Sequence, residues 1–292
     1  MSPLDLSKIN FLLASYLLAG AFSSIHQVAI NSIALCYARA CYLLREQSLI
    51  LAEGTLKESK KFRQPGRAEQ QVEDHNSLSS RLSSYRRDSS LRRPDFAKAY
   101  DELVDRLNVI DRGEVGPRLG EAMPQFNLPD ENGRLVALAS LLRTGPVVIS
   151  INRGHWCPYC KLDLRSLAEI NGEIEQLGAR TIAIMPDRAE FTEGYANRNS
   201  LPFPVLSDID LGYALSLDLI FWVGDEIQTL YSQAGVELEK YHGNDAYFLP
   251  MASKFIVGRD GLVKARQVNT EFRERMEPEA IIAQLQKLHS AA

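Results

Sequence analysis

The sequence predicts an α/β layer structure: a mixed central sheet flanked by helices, preceded by a helical and flexible N-terminal extension. Three observations lead there. From Gly116 onward, short apolar runs alternate with amphipathic stretches at helical spacing, the pattern of strands that feed helices. Near the C terminus an Asp260-Gly261 turn joins two strand-like runs, so the sheet gains an antiparallel pair. The first 94 residues lack this alternation and read as a separate extension.

The elements follow in order. Asn132-Gly133 marks a tight hairpin between short strands. Residues 146–151 (PVVISI) form a fully apolar strand, followed by a cysteine-bearing loop and a helix over 158–177. Residues 181–185 (TIAIM) are a second buried strand, 187–199 a helix, and 203–206 a third strand. Strands over 254–257 and 262–266 flank the Asp260-Gly261 turn, and an amphipathic helix over 278–289 closes the chain. There is no internal repeat and no glycine-rich phosphate loop.

Upstream the organisation changes. Residues 9–38 carry no formal charge, and 9–22 (INFLLASYLLAGAF) are strongly apolar. Segment 1–52 therefore reads as an apolar, helical piece, with Cys36 and Cys41 as packed thiols. Ala19-Gly20-Ala21 offers a small-residue cleavage pattern, but Asp5 beside Lys8 weakens the positive leader that export requires. The expectation is a cytoplasmic protein; export or membrane anchoring through 9–38 is the alternative. Residues 53–94, including SLSSRLSSYRRDSSLRR, are rich in Lys, Arg, Glu and Ser and read as a flexible linker with too little apolar surface to offset chain entropy. A helix within 95–115 places Phe96, Tyr100, Leu103, Val104 and Leu107 on one stripe and stops at Gly113. That stripe needs a partner, either the main domain or a second subunit in a homodimer.

Composition is that of an ordinary soluble chain: 292 residues, 45% hydrophobic, 24% charged, net charge −4. The negative balance argues against a general nucleic-acid binder. Four cysteines in so long a chain do not make a disulfide scaffold. Two of them, Cys157 and Cys160, stand three apart in NRGHWCPYCKLDL. Pro158 suits the first position of a helix, which puts the pair at the positive end of the helix dipole, where a thiolate is stabilised. Arg153 and His155 would add positive charge if they turn inward, and Trp156 would shield one side of the thiols. Lys161 and Arg165, on the following helix, read as solvated charges. A structural zinc site wants four ligands, yet His26, His75, His242 and His289 are scattered singly. No metal or organic cofactor is expected, and redox use of the pair is the favoured reading.

The stretches GEAMPQFNLPDENGRLVAL, PFPVLSD and SKFIVGRDGLVKA, in that order, resemble the alkyl hydroperoxide reductase/thiol-specific antioxidant (AhpC/TSA) group of the peroxiredoxin superfamily. The resemblance implies a thioredoxin fold with an N-terminal hairpin over residues 116–292. It implies a peroxidase acting on hydrogen peroxide or alkyl hydroperoxides, recycled by a thioredoxin- or glutaredoxin-type reductant. The family's proline, threonine and peroxide-attacking cysteine fall on Arg153, Cys157 and Cys160, and the family arginine falls on Ala252. WCPYC, by contrast, resembles the thioredoxin motif, whose first cysteine, here Cys157, is the nucleophile. Thioredoxins also set a cis-proline opposite the pair, and Pro250 is the nearby candidate. A protein disulfide oxidoreductase with little peroxidase activity is the alternative function, and a non-catalytic assembly module is a third.

Overall fold

The computed structural model describes residues 77–109 and 115–290. The expected apolar segment 1–52, with Cys36, Cys41 and any signal or anchor in 9–38, lies outside the described residues. So do the first part of the expected linker and the Gly113 helix stop. Among the described residues no helix is long and apolar enough to cross a membrane.

Two helices come first, α1 (Leu78–Arg92) and α2 (Pro94–Val109). A hairpin of β1 (Asn127–Pro129) and β2 (Leu135–Ala137) follows, antiparallel as the Asn132-Gly133 turn predicts, with Gly133 at φ +77°. After the short α3 (Leu138–Leu142) the main layer begins with β3 (Val147–Ile151), α4 (Pro158–Gln176), β4 (Arg180–Met185), α5 (Ala189–Asn199) and β5 (Val205–Ser207). An excursion then carries α6 (Gly212–Ser216), β6 (Ile220–Trp222), α7 (Asp225–Gln233), α8 (Leu238–His242) and β7 (Phe248–Pro250). The closing hairpin, β8 (Ser253–Val257) and β9 (Val263–Val268), leads to α9 (Pro278–Ser290).

The central sheet has the order β5-β4-β3-β8-β9. Strands β3, β4 and β5 run parallel; β8 and β9 are antiparallel to their neighbours. This mixed sheet with helices packed on it is the thioredoxin-type fold that the sequence predicts. All five residues of β3 are buried, which explains its run of four apolar residues interrupted by Ser150 alone. On one face Val148, Ala183, Met185, Val205 and Ile256 receive Leu164, Leu167 and Ile174 of α4 and Ile281 and Leu285 of α9. Ser150 and Lys254 pair in register on β3 and β8 and share this face with Val148 and Ile256, by the two-residue period of strands. A polar spot therefore lies under the start of α4.

One expectation fails. The stretch expected to be a flexible linker up to residue 94 is, from Leu78 to Arg92, a 15-residue helix. Composition over the window hid a narrow stripe: Leu78 and Leu82, four apart, are buried against neighbouring helices α2 and α4. Ser77 caps the helix by accepting from the Ser80 N–H, and the Glu277 carboxylate accepts from the Leu78 and Ser79 N–H groups at 3.1 and 2.7 Å. Those are the donors that a helix start leaves unpaired. The stripe expected on α2 finds its partner within the same chain, since Ala99, Leu103, Val104 and Leu107 are buried and α2 packs on α7.

Truncating Leu107, which is 1% exposed, to alanine is expected to cost about 2–5 kcal/mol. Urea unfolding followed by far-UV dichroism should show one transition shifted as a whole. An unchanged main transition, with a separate early one, would show that α2 is not part of the folded domain.

Candidate active site

The site is built where β3 ends. Ile151 passes into Asn152, whose N–H donates to the Ile184 carbonyl at 2.9 Å and whose side-chain amide donates to the Ser150 carbonyl at 2.9 Å. Gly154 has φ +142°, and a Cβ there would stand 2.4 Å from Trp156 Nε1 and 3.1 Å from Asp187 Oδ2, so only glycine lets this loop close. Cys157 is the N-cap of α4 and Pro158 its first residue, the strand–loop–helix placement read from the sequence. Both thiols are free and each cysteine is 1% exposed.

Arg153 turns inward, as the thiol reading required. It is 1% exposed, with its guanidinium 4.0 Å from the Phe272 ring centre and 5.4 Å from those of Tyr100 and Trp156. One terminal nitrogen donates to the Tyr231 hydroxyl; its Nε has no hydrogen-bond partner. No carboxylate among the described residues pairs with it. A buried cation without a counter-ion is costly, and the negative charge within its reach belongs to sulfur. The two thiols respond in opposite directions. Burial works to raise the Cys157 pKa, but the hydrogen bond from Cys160 and the charge of Arg153 outweigh it and bring the value down to about 6. Cys160 is held well above its usual range, by burial first and then by sharing its proton with Cys157.

A second guanidinium approaches from the far end of the chain. Arg275 Nη2 lies 3.7 Å from Cys160 Sγ; Arg275 also donates to the Glu274 carbonyl at 2.7 Å and reaches Asp163 at 3.7 Å. Asp163, one turn beyond Cys160 on α4, is bound by Lys254 Nζ at 2.6 Å and by the Ser150 hydroxyl at 3.3 Å. Burial lowers the Lys254 pKa, and Asp163 opposes that shift. The polar spot beneath α4 is thus a closed ionic network whose edge touches Cys160.

His155, expected as an electrostatic helper, is bonded to Asp187. Its Nδ1 sits 3.0 Å from Asp187 Oδ1 and its N–H donates to Asp187 Oδ2 at 2.8 Å. The ring stacks on Phe191 and meets Tyr241 edge-on. It forms no hydrogen bond with either sulfur; it latches the loop to the β4–α5 connection. His242, isolated in the sequence, comes within 3.9 Å of the same carboxylate, and burial drives its pKa down to about 4, so it is neutral near pH 7. Trp156 closes one side of the site, edge-on to Tyr231 at 5.0 Å. Among the described residues no three His, Cys, Asp or Glu side chains gather as a metal site. No peptide bond among them is cis, so Pro250, at the end of β7, is not the cis-proline of the thioredoxin pattern. Ala252, where the family arginine was expected, is a buried small residue; guanidinium groups reach the sulfurs instead from Arg153 and Arg275.

The roof of the site comes from the extension. Tyr85 of α1 meets Tyr159 edge-on at 5.1 Å. The Tyr100 hydroxyl of α2 donates to the Tyr231 hydroxyl at 3.2 Å, and the Tyr100 ring abuts Phe272. Sequence reasoning missed Tyr85, Arg275, Asp163 and Lys254. The only signal for the last two was a charged residue among apolar neighbours, at Lys254 within a strand and at Asp163 in the helix.

Residues 119–266 match the model of the AhpC/TSA family, half of the chain. The chain belongs to the AhpC/TSA family. Family membership makes it an antioxidant oxidoreductase of the peroxidase type with the thioredoxin fold. A Mycobacterium tuberculosis protein provisionally named a peroxiredoxin is 26% identical over 152 residues, covering 52% of this chain and 85% of that protein. The chloroplastic peroxiredoxin Q of Oryza sativa subsp. japonica is 32% identical over 115 residues, 39% of this chain and 52% of its own. Among solved structures, peroxidoxin BcpB of Mycobacterium tuberculosis superposes with a TM-score of 0.46 at 18% identity, covering 59% of this chain and 98% of that one. The AhpC/TSA match contains Arg153, Cys157 and Cys160 but ends before Phe272 and Arg275 and begins after Tyr85 and Tyr100. Much of the sulfur environment in this chain therefore comes from outside the family domain.

Removing the cation that faces Cys157 raises the thiol pKa. Arg153→Met is expected to cut alkylation of Cys157 by iodoacetamide at pH 7 by about tenfold or more, because one pKa unit is a factor of ten in thiolate near neutrality. Rates read from the Cys157 peptide by mass spectrometry should show the pH inflection moving upward. An unmoved inflection in a folded variant removes Arg153 from the account.

Proposed function

We propose that Cys157 is the peroxide-attacking thiolate and Cys160 the thiol that resolves it, in a hydroperoxide reductase recycled by a thioredoxin- or glutaredoxin-type dithiol. The observation that carries this is the opposed environment of the two sulfurs, one drawn toward the anion by Arg153 and one kept protonated by burial. The Cys157 thiolate attacks the distal oxygen of the hydroperoxide; the O–O bond breaks and the alkoxide departs, taking up a proton as the alcohol. Cys157 is left as the sulfenic acid. Cys160 then attacks the sulfenic sulfur, water leaves with the thiol proton, and a disulfide closes. The donor dithiol reduces that bond by thiol–disulfide exchange and is itself oxidised.

This assignment reverses the family register, in which Cys160 holds the attacking place. What favours this order is charge: the attacking sulfur must be the ionised one, and burial and the shared proton hold Cys160 toward the thiol form. Replacement of the family threonine by Cys157 supports the second reading, a disulfide oxidoreductase that reacts slowly with peroxide. Rapid mixing of the reduced protein with hydrogen peroxide separates the two. The peroxidase reading expects oxidation much faster than that of free cysteine at the same pH, and an equal rate favours the second reading.

Single replacements test the roles. The Cys160→Ser protein should accumulate a trappable sulfenic acid on Cys157 after one equivalent of peroxide. The Cys157→Ser protein should form none on Cys160 above the rate of an unactivated thiol. A label on Cys160 at the wild-type rate would restore the family register.

A further inference from the structure

We propose that the open pocket beside the first turns of α4 is the approach for carboxylate-bearing organic hydroperoxides, with Lys161 and Arg165 receiving the carboxylate. This rests on the peroxidase reading above and adds a substrate class to it.

The pocket encloses about 540 Å³ between α1, α4 and the end of α5, within the size range of small-molecule sites. Its apolar wall includes Leu162 and Leu201, its aromatic wall Tyr85 and Tyr195, and its polar groups include Lys161 and Arg165. An acyl chain suits the first two walls and an anion the cations.

The pocket runs along the helix that begins at the thiol, although neither cysteine is in its wall. Cys157, Lys161 and Arg165 stand four residues apart, so they lie on one face of α4; the Lys161 N–H donates to the Cys157 carbonyl at 3.0 Å, one closed turn. At a rise of 1.5 Å per residue the two cations sit roughly 6 and 12 Å along the axis from Cys157. A carboxylate held there leaves its chain pointing toward the helix start, where Pro158, itself in the pocket wall, adjoins Cys157. Two further wall residues lie within electrostatic reach of the thiols. Burial is the main reason that the Tyr85 and Tyr195 phenols are raised above their ordinary range, and charge on Cys157, and for Tyr195 also on Cys160, adds to it.

The rim is electropositive. Lys161 is exposed and has no ion-pair partner among the described residues. Arg165 pairs with Glu169 at 3.4 Å, and the same carboxylate is shared with Arg81 of α1 at 3.2 Å. Two cations therefore share one carboxylate, and Lys161, on the same pocket wall as Arg165, adds charge for an anionic ligand. A neutral alkyl hydroperoxide has no use for this arrangement, and hydrogen peroxide has no use for the apolar walls. Tyr85, packed against Tyr159, is part of the wall along this approach.

The test compares a long-chain hydroperoxy fatty acid with its methyl ester, which differ only in the charge at the chain end. With the full chain and a saturating dithiol donor, kcat/KM for the acid is expected to exceed that for the ester by about fivefold at low salt, the scale of two exposed ion pairs, and less at high salt. In the Lys161→Glu/Arg165→Glu protein the ratio should fall to one or below. Equal rates for acid and ester in the wild type, or a preference that survives the charge reversal, would overturn the proposal. If the protein consumes no hydroperoxide of any kind, the peroxidase reading has failed and the pocket is judged by binding alone. The corresponding unoxidised fatty acid, followed by displacement of a fluorescent fatty acid, should then still bind the wild type several-fold tighter than the charge-reversed protein. Equal binding, or none, removes the pocket as an anionic site.

Discussion

A guanidinium enclosed by aromatic rings, with no carboxylate paired to it among the described residues, is the constraint around which this site is organised. Arg153 is wrapped by Phe272, Tyr100 and Trp156 and touches one neutral hydroxyl, that of Tyr231. The ring faces contribute some cation–π attraction, but that does not replace the water the charge has lost. In the proposed reading a Cys157 thiolate neutralises the arginine, and the Cys160 hydrogen bond together with the arginine's charge keeps that sulfur ionised at a pH where a free thiol is mostly protonated. Burial alone would raise the thiol pKa and silence the sulfur; the hydrogen bond and the charge outweigh it.

That pairing explains why a family domain carries additional pieces. Tyr100 belongs to the N-terminal helices and Phe272 to the segment after β9, and both lie outside residues 119–266. Deleting either wall would hydrate the guanidinium and weaken its hold on the thiol. The same pieces are tied to each other: Arg273 bridges to Asp101 of α2 at 2.8 Å, and Glu277 closes the start of α1. Surface ion pairs of this kind contribute little individually; the buried leucines of α1 and α2 supply most of the adhesion. On the other side of the sulfurs, the Asp163–Lys254 pair and Arg275 separate Cys160 from the apolar core, giving the protonated thiol a polar floor when its proton must leave.

The main layer was legible because its strands are local signals. PVVISI and TIAIM are mostly apolar and buried on both faces, and two short turns, Asn132-Gly133 and Asp260-Gly261, fix the hairpins. The cysteine pair was legible for the same reason, since strand, loop, glycine and N1 proline are contiguous. What escaped was everything assembled at long range. Helix α1 reads as linker because its stripe is narrow and two of its capping bonds come from Glu277, 199 and 198 residues away. Arg275 carries no motif and meets Cys160 only through packing across 115 positions. His155 stands next to the thiols in sequence, yet its ring is bonded to Asp187, 32 residues away, a contact that the local motif does not reveal.

The central claim is that Cys157 is the anion of the pair, held so by the Cys160 hydrogen bond and the charge of Arg153. Its most direct measurement is an NMR titration of the full chain bearing isotope-labelled cysteine, with signals assigned through the single serine replacements. The account predicts that Cys157 titrates with a midpoint near 6 while Cys160 stays protonated well past the ordinary thiol range. If both titrate together near the unperturbed value of about 8.5, the buried arginine does not hold a thiolate and the account is contradicted.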